Sequence, residues 1–131
     1  MTTLEKWHQV LTTKSTSLLS ELLDDNVVFY SPVVHTPQKG KAVTMMYLGA
    51  ALHVFFNETF QYVKETKVDN HAVLEFKTTI SGVEVNGVDM ISWNDDGKII
   101  EFKVMVRPLK AINIIHELMQ GMLKKLAPSA N

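Results

Sequence analysis

Apolar residues recur at Leu4, Trp7 and Leu11 and again at Leu18, Leu19, Leu22 and Leu23, with the polar run Thr12-Thr13-Lys14-Ser15-Thr16-Ser17 between them. Near-helical spacing broken by a polar run predicts two helices, over 3–13 and 15–24, with Ser15 or Thr16 capping the second. Asn26 to Ser31 is β-branched and aromatic and stops at Pro32, which reads as a short strand. Pro32 to Gly40 holds two prolines and a glycine and reads as a loop. Lys41 to Phe56 is mostly apolar and predicts a third, largely buried helix. Strands follow near 59–68, 71–81, 83–93 and 98–107, with turns at Ser81-Gly82 and Asn94-Asp95-Asp96-Gly97 and a bulge or bend at Asn86-Gly87. Pro108 opens a last helix to about Leu126, with an apolar stripe of Leu109, Ile112, Ile115, Met119, Met122, Leu123 and Leu126.

Helices and adjacent hairpins that segregate along the chain imply an α+β fold, with a curved antiparallel sheet wrapped around helices. The length of 131 residues suits one domain, 1–127, followed by a frayed tail at 128–131.

Strand alternation separates the faces. Phe102, Val104 and Val106 share one side of the last strand, against Glu101, Lys103, Met105 and Arg107. Ala72, Leu74, Phe76, Thr78 and Ile80 share one side of the second. In 83–93, Asp89 falls on the parity of Val83, Val85, Ile91 and Trp93. A carboxylate on such a face is partly desolvated, which raises its pKa unless a donor or cation answers it. Three readings are open: a bulge at Gly87 that flips the register, a carboxylate pinned by hydrogen bonds for structure, or a group placed for chemistry.

Composition narrows the partners. Hydrophobic residues at 46% and charged residues at 21% support a packed core. Lys and Arg number 13 against 14 Asp and Glu, for a net charge of -1, and Arg107 is the single arginine, so nucleic acid is not an expected partner. No apolar run approaches the roughly 18 residues of a membrane span, and the N-terminal segment has no signal-peptide core, which makes the cytoplasm the default location. There is no cysteine, hence no disulfide. The histidines (His8, His35, His53, His71, His116) show no ligand spacing, and no phosphate-binding glycine motif is present, so no metal and no cofactor is expected. His53, between Leu52 and Val54, reads as a satisfied core or pocket-lining histidine.

The phrase Asn26-Val27-Val28-Phe29-Tyr30-Ser31-Pro32-Val33, closing in Pro37-Gln38-Lys39-Gly40-Lys41, resembles the SnoaL-like, nuclear transport factor 2-like superfamily, which includes ketosteroid isomerases. The phrase from Gly87 to Phe102 resembles its last hairpin. The resemblance implies a cone-shaped α+β barrel of the cystatin-like kind, with a mixed or antiparallel curved sheet around N-terminal helices, an apolar pocket inside and frequent homodimers through the outer sheet face. The C-terminal helix is an addition to the shorter members. Ketosteroid isomerases place an aspartate base just before the proline of the first phrase, where this chain has Ser31. Their first-helix tyrosine corresponds to Trp7, whose indole N–H donates but cannot accept. Their protonated aspartate in the final hairpin falls on Asp89, a type of neutral buried acid for which that isomerase is itself the standard illustration. Polyketide cyclases of the family use an aspartate acid/base with histidine nearby, which Asp89 and His35 would imitate.

Two functions are expected from these residues. One is an isomerase, cyclase or dehydratase-type enzyme acting on a small apolar molecule, with Asp89 as acid/base or hydrogen-bond donor and His35 as its partner. Trp7, Ser31, Phe56, Phe76, Trp93, Phe102 and Val104 would line its pocket. The other is a non-catalytic ligand-binding or dimerisation module of the same fold.

Overall fold

The computed structural model describes residues 1–126, so the tail expected at 128–131 lies outside the described residues. Two N-terminal helices, α1 (Thr3–Thr13) and α2 (Thr16–Leu22), lead into β1 (Leu23–Tyr30), the short β2 (Gln38–Lys39) and α3 (Lys41–Val54). A meander of β3 (Gln61–Val68), β4 (His71–Ile80), β5 (Val83–Trp93) and β6 (Ile99–Arg107) follows, and α4 (Leu109–Leu126) ends the fold. The sheet has six strands in the order β2-β1-β6-β5-β4-β3. All neighbours are antiparallel except β1 and β6, which run parallel. The α+β architecture read from the element order is the one observed.

Local chemistry explains the helix starts. Thr2 and Glu5 form a reciprocal capping box at α1. The Ser15 hydroxyl accepts from the Leu18 N–H at the start of α2. That helix stops at Leu22 rather than Asp24, because Leu23 already adopts extended backbone and pairs with Ile99. Lys14, between α1 and α2, takes the left-handed conformation, and its ammonium donates to the Leu52 and Phe56 carbonyls, tying the helix pair to the end of α3.

The bulge expected at Asn86-Gly87 is absent. Pairing of β5 with β4 runs without a break from His71↔Ser92 to Ile80↔Val83. Gly87 serves packing instead: a Cβ there would stand 2.5 Å from Phe76 Cζ and 2.6 Å from the Met105 carbonyl oxygen. The bulge lies in β6, where Ser92 pairs with Glu101 and Trp93 with Ile99, so Ile100 is the extra residue. It turns Ile99 inward and leaves Ile100 half exposed.

The core has two apolar clusters. One gathers Trp7, Leu19, Leu74, Ile91, Trp93 and Phe102 under α1 and α2. The other joins Phe55, Phe76, Ile80 and Val85 to Ala111 and Ile115 of α4. The stripe of α4 is rotated from expectation. Ala111 and Ile115 are buried and Ile114, Leu118, Met119 and Met122 pack beside them, while Leu109, at the helix start, is 71% exposed. His53 is exposed rather than buried: α3 turns it away from the cavity while Leu52 and Val54 on either side are buried. No helix among the described residues is long and apolar enough to cross a membrane.

Candidate functional site

Cross-strand pairing puts Asp89 in an apolar row. Leu74 faces it from β4 and Val104 from β6. With the register unbroken at Gly87, the parity read from the sequence holds, and Asp89 points to the concave side at 4% exposure. There it lines a cavity of about 260 Å³ whose walls come from both core clusters and from α4.

One hydroxyl answers the carboxylate. The Tyr62 O–H donates to Asp89 Oδ2 at 2.5 Å, and the Trp7 indole N–H donates to the Tyr62 oxygen at 3.0 Å. The order of donors is forced, since the indole cannot accept. Burial is the main force that lifts the Asp89 pKa to about 7, and the Tyr62 hydrogen bond opposes it. Tyr62 is held well above the usual phenol range, first by burial and then by the negative charge of Asp89, so it remains a donor. Among the described residues the ion pairs are His8–Glu65 and Lys41–Asp25, and neither reaches Asp89. Near neutral pH the carboxyl therefore populates both its charged and its uncharged form.

Tyr62 is the site residue that sequence alone did not single out. It lies on β3, an edge strand exposed at nearly every position, where neither parity is apolar. Tyr62 pairs with Phe76 and Lys64 with Glu75, so Val63 is a bulged residue and strict alternation fails across it. The one available signal is a lone aromatic near the start of a mostly polar strand.

Of the expected lining residues, Trp7, Ser31, Phe56, Phe76, Phe102 and Val104 do surround the cavity with Asp89. Trp93 does not. It packs in the cluster beneath α1 and α2, where β5 runs on past Ile91 toward the Asn94–Gly97 turn, and Lys67 stands 5.9 Å from its ring. His35 is not brought to Asp89 either. The Ser31 hydroxyl accepts from the N–H groups of Val33 and Val34, a turn that lays Pro32, Val33 and Val34 along the cavity and leaves His35 exposed. The histidine beside the cavity is His116 of α4, with Gln120 one turn on. Groups of His, Asp and Glu arranged to hold a metal are absent among the described residues.

With that geometry in view, comparisons place the chain. The model of the SnoaL-like domain matches residues 4–102. A crystal structure of a steroid delta-isomerase from Pseudomonas aeruginosa is 37% identical, covers 94% of this chain and 90% of its own, and superposes with a TM-score of 0.88. An uncharacterised bacterial protein with a cystatin-like fold from Silicibacter pomeroyi is 28% identical over 91% of this chain and 83% of its own, with a TM-score of 0.83. The epoxide hydrolase/cyclase-like enzyme SalBIII, tied to pyran ring formation in the polyether salinomycin, shares the fold at 14% identity and a TM-score of 0.66, over 82% of this chain and 89% of its own. No protein with a curated description matches. The matched segment runs from α1 through β5 into the first four residues of β6, and this chain belongs to the SnoaL-like domain family, with the nuclear transport factor 2-like fold.

Proposed function

We propose that the cavity binds a small, largely apolar molecule bearing a carbonyl or enol oxygen, and that Asp89 moves a proton on it. The observation that carries this reading is a carboxyl group at 4% exposure on an otherwise greasy wall, with Tyr62 hydrogen-bonded to one of its oxygens. The ionised form has the basicity to take a proton from a carbon next to a carbonyl, because burial brings its pKa to about 7. The acid so formed returns the proton at another carbon or donates a hydrogen bond to the developing oxyanion. Atoms balance: the C–H bond broken at one carbon is remade at another, and Asp89 ends as it began. Tyr62 holds the carboxyl in place and Trp7 holds Tyr62. As written this step is an isomerisation; in a dehydratase the same proton would go to the departing hydroxyl as water leaves, and in a cyclase to the oxygen of the carbonyl that the new carbon–carbon bond consumes. The 37% identical relative described as a steroid delta-isomerase supports the isomerase type.

A second reading, a binding module without turnover, is favoured by Ser31. It occupies the place where ketosteroid isomerases carry a base, and its oxygen is occupied by two backbone N–H groups. Proton exchange separates the two readings. A bicyclic β,γ-unsaturated ketone in deuterated buffer is expected to gain deuterium at its α carbon with the wild-type protein, faster as pH rises through 7. Asp89→Asn should bind the ketone without exchange. Binding without exchange by the wild type would leave the module reading, and absence of binding would remove both.

The outer sheet face supports a homodimer. Val73 pairs with Met90 and Val88 with Met105, and Val73 and Met105 are 41% and 53% exposed. This patch, flanked by Lys103 over the Tyr30 ring, is the surface we assign to self-association. The composition supports neither nucleic acid nor membrane as a partner, and a cytoplasmic location remains part of the same proposal.

A further inference from the structure

The cavity's polar side chains are not spread evenly. Asp89 sits at the buried end, whereas His116 and Gln120 are exposed and lie on α4, beyond the segment that matches the SnoaL-like domain model. The rest of the lining is mostly apolar, with Phe55, Phe56, Phe76 and Phe102 prominent; its other polar members are Tyr47 and Ser31, whose oxygen already accepts from two backbone N–H groups. His116 and Gln120 are four residues apart on one helix and therefore share a face. That face is held in place by its neighbours, since Ile115 is buried and Met119 packs in the same cluster. Among the described residues neither polar side chain has a hydrogen-bond or ion-pair partner, so their donors are available to a ligand.

We infer that α4 supplies a second polar pole at the cavity mouth, and that the ligand is an apolar body with a carbonyl oxygen at the Asp89 end and a second oxygen at the His116–Gln120 end. This deepens the binding reading above and rests on it. A volume of about 260 Å³ falls just below the roughly 300–1,000 Å³ of ordinary small-molecule pockets, which limits the body to one or two rings. His116 and Gln120 thus act as specificity-determining residues that select for the far end of the ligand. Because they stand at a wet rim, their hydrogen bonds compete with water, and the discrimination they provide is modest.

The test uses two probes that differ only at the far end, 4-phenylcyclohexanone and 4-(4-hydroxyphenyl)cyclohexanone, in titration calorimetry with the full chain. The wild type is expected to bind the hydroxylated probe roughly five- to tenfold tighter. The double variant His116→Phe with Gln120→Met preserves bulk and helix propensity, and should bind both probes with equal affinity at about the wild-type value for the parent ketone. Circular dichroism of the variant confirms that the helix is intact. Equal binding of the two probes by the wild type overturns the second pole, as does a preference that survives in the double variant. If neither probe binds the wild type, the pocket reading itself fails, a result distinct from equal binding.

Discussion

The hydroxyl of Tyr62 and the carboxyl of Asp89 are 27 positions apart in sequence and 2.5 Å apart in space. The strand between theirs in the sheet, β4, carries only apolar side chains toward the same spot, Leu74 and Phe76. The pair is thus a polar contact assembled across an apolar strand. For both groups burial is the largest cause of the raised pKa.

The first consequence is a pH-dependent stability. The Asp89 pKa rises from 3.8 to about 7 on folding. Between those values the folded protein binds more protons at this site than the unfolded chain, so this contribution to stability is full below pH 4 and is lost as pH rises through 7. Three pKa units correspond to about 4 kcal/mol as an upper bound. Urea denaturation from pH 4 to 8, wild type against Asp89→Asn, should show the variant losing less stability as pH rises, and the carboxyl carbon resonance of Asp89 should titrate near 7. A midpoint near 4 would remove the acid/base role.

Removing the hydroxyl moves that titration further. In Tyr62→Phe the group that lowers the Asp89 pKa is gone, and the midpoint is expected above the wild-type value. The Trp7 indole N–H also loses its acceptor. An unsatisfied donor of this kind costs about 1–3 kcal/mol, to be read in the same urea titrations. An unchanged midpoint would mean that the hydrogen bond does not form in solution.

Gly87 is a packing requirement. Gly87→Ala sets a methyl group against the Phe76 ring and the backbone carbonyl of Met105. The ring can shift but the carbonyl is held in the β5–β6 ladder. Overpacking of this kind costs about 1–3 kcal/mol, and the backbone clash argues for the upper part of that range. The displaced Phe76 ring narrows the cavity, so ligand affinity should fall as well. A thermal melt equal to that of wild type would contradict the close approach.

A charge on the outer sheet face tests the dimer. Met105→Glu places a carboxylate in the patch of Val73, Val88 and Met90 that we assign to self-association, where burial in an interface would desolvate it. Sedimentation velocity should shift from dimer to monomer while the Asp89 titration stays where it was. A dimer that persists would put the interface elsewhere.

Much of this molecule could be read without coordinates. The period of Leu4, Trp7 and Leu11, the alternation of β4, and turn residues such as Asn94 and Gly97 are local signals, each set by backbone geometry over a few residues, and the elements they predict are the observed ones. The inward parity of Asp89 was legible for the same reason, since a strand of period two that keeps its register carries its face along. The bulges at Val63 and Ile100, the exposed turn that carries His35 away, and the angular position of α4 depend on which distant surfaces meet. Tertiary packing alone brought Tyr62 to Asp89 and set His116 at the cavity mouth, because hydrogen bonds and walls made across strands are fixed by the register of neighbours and leave no periodic trace in their own segment.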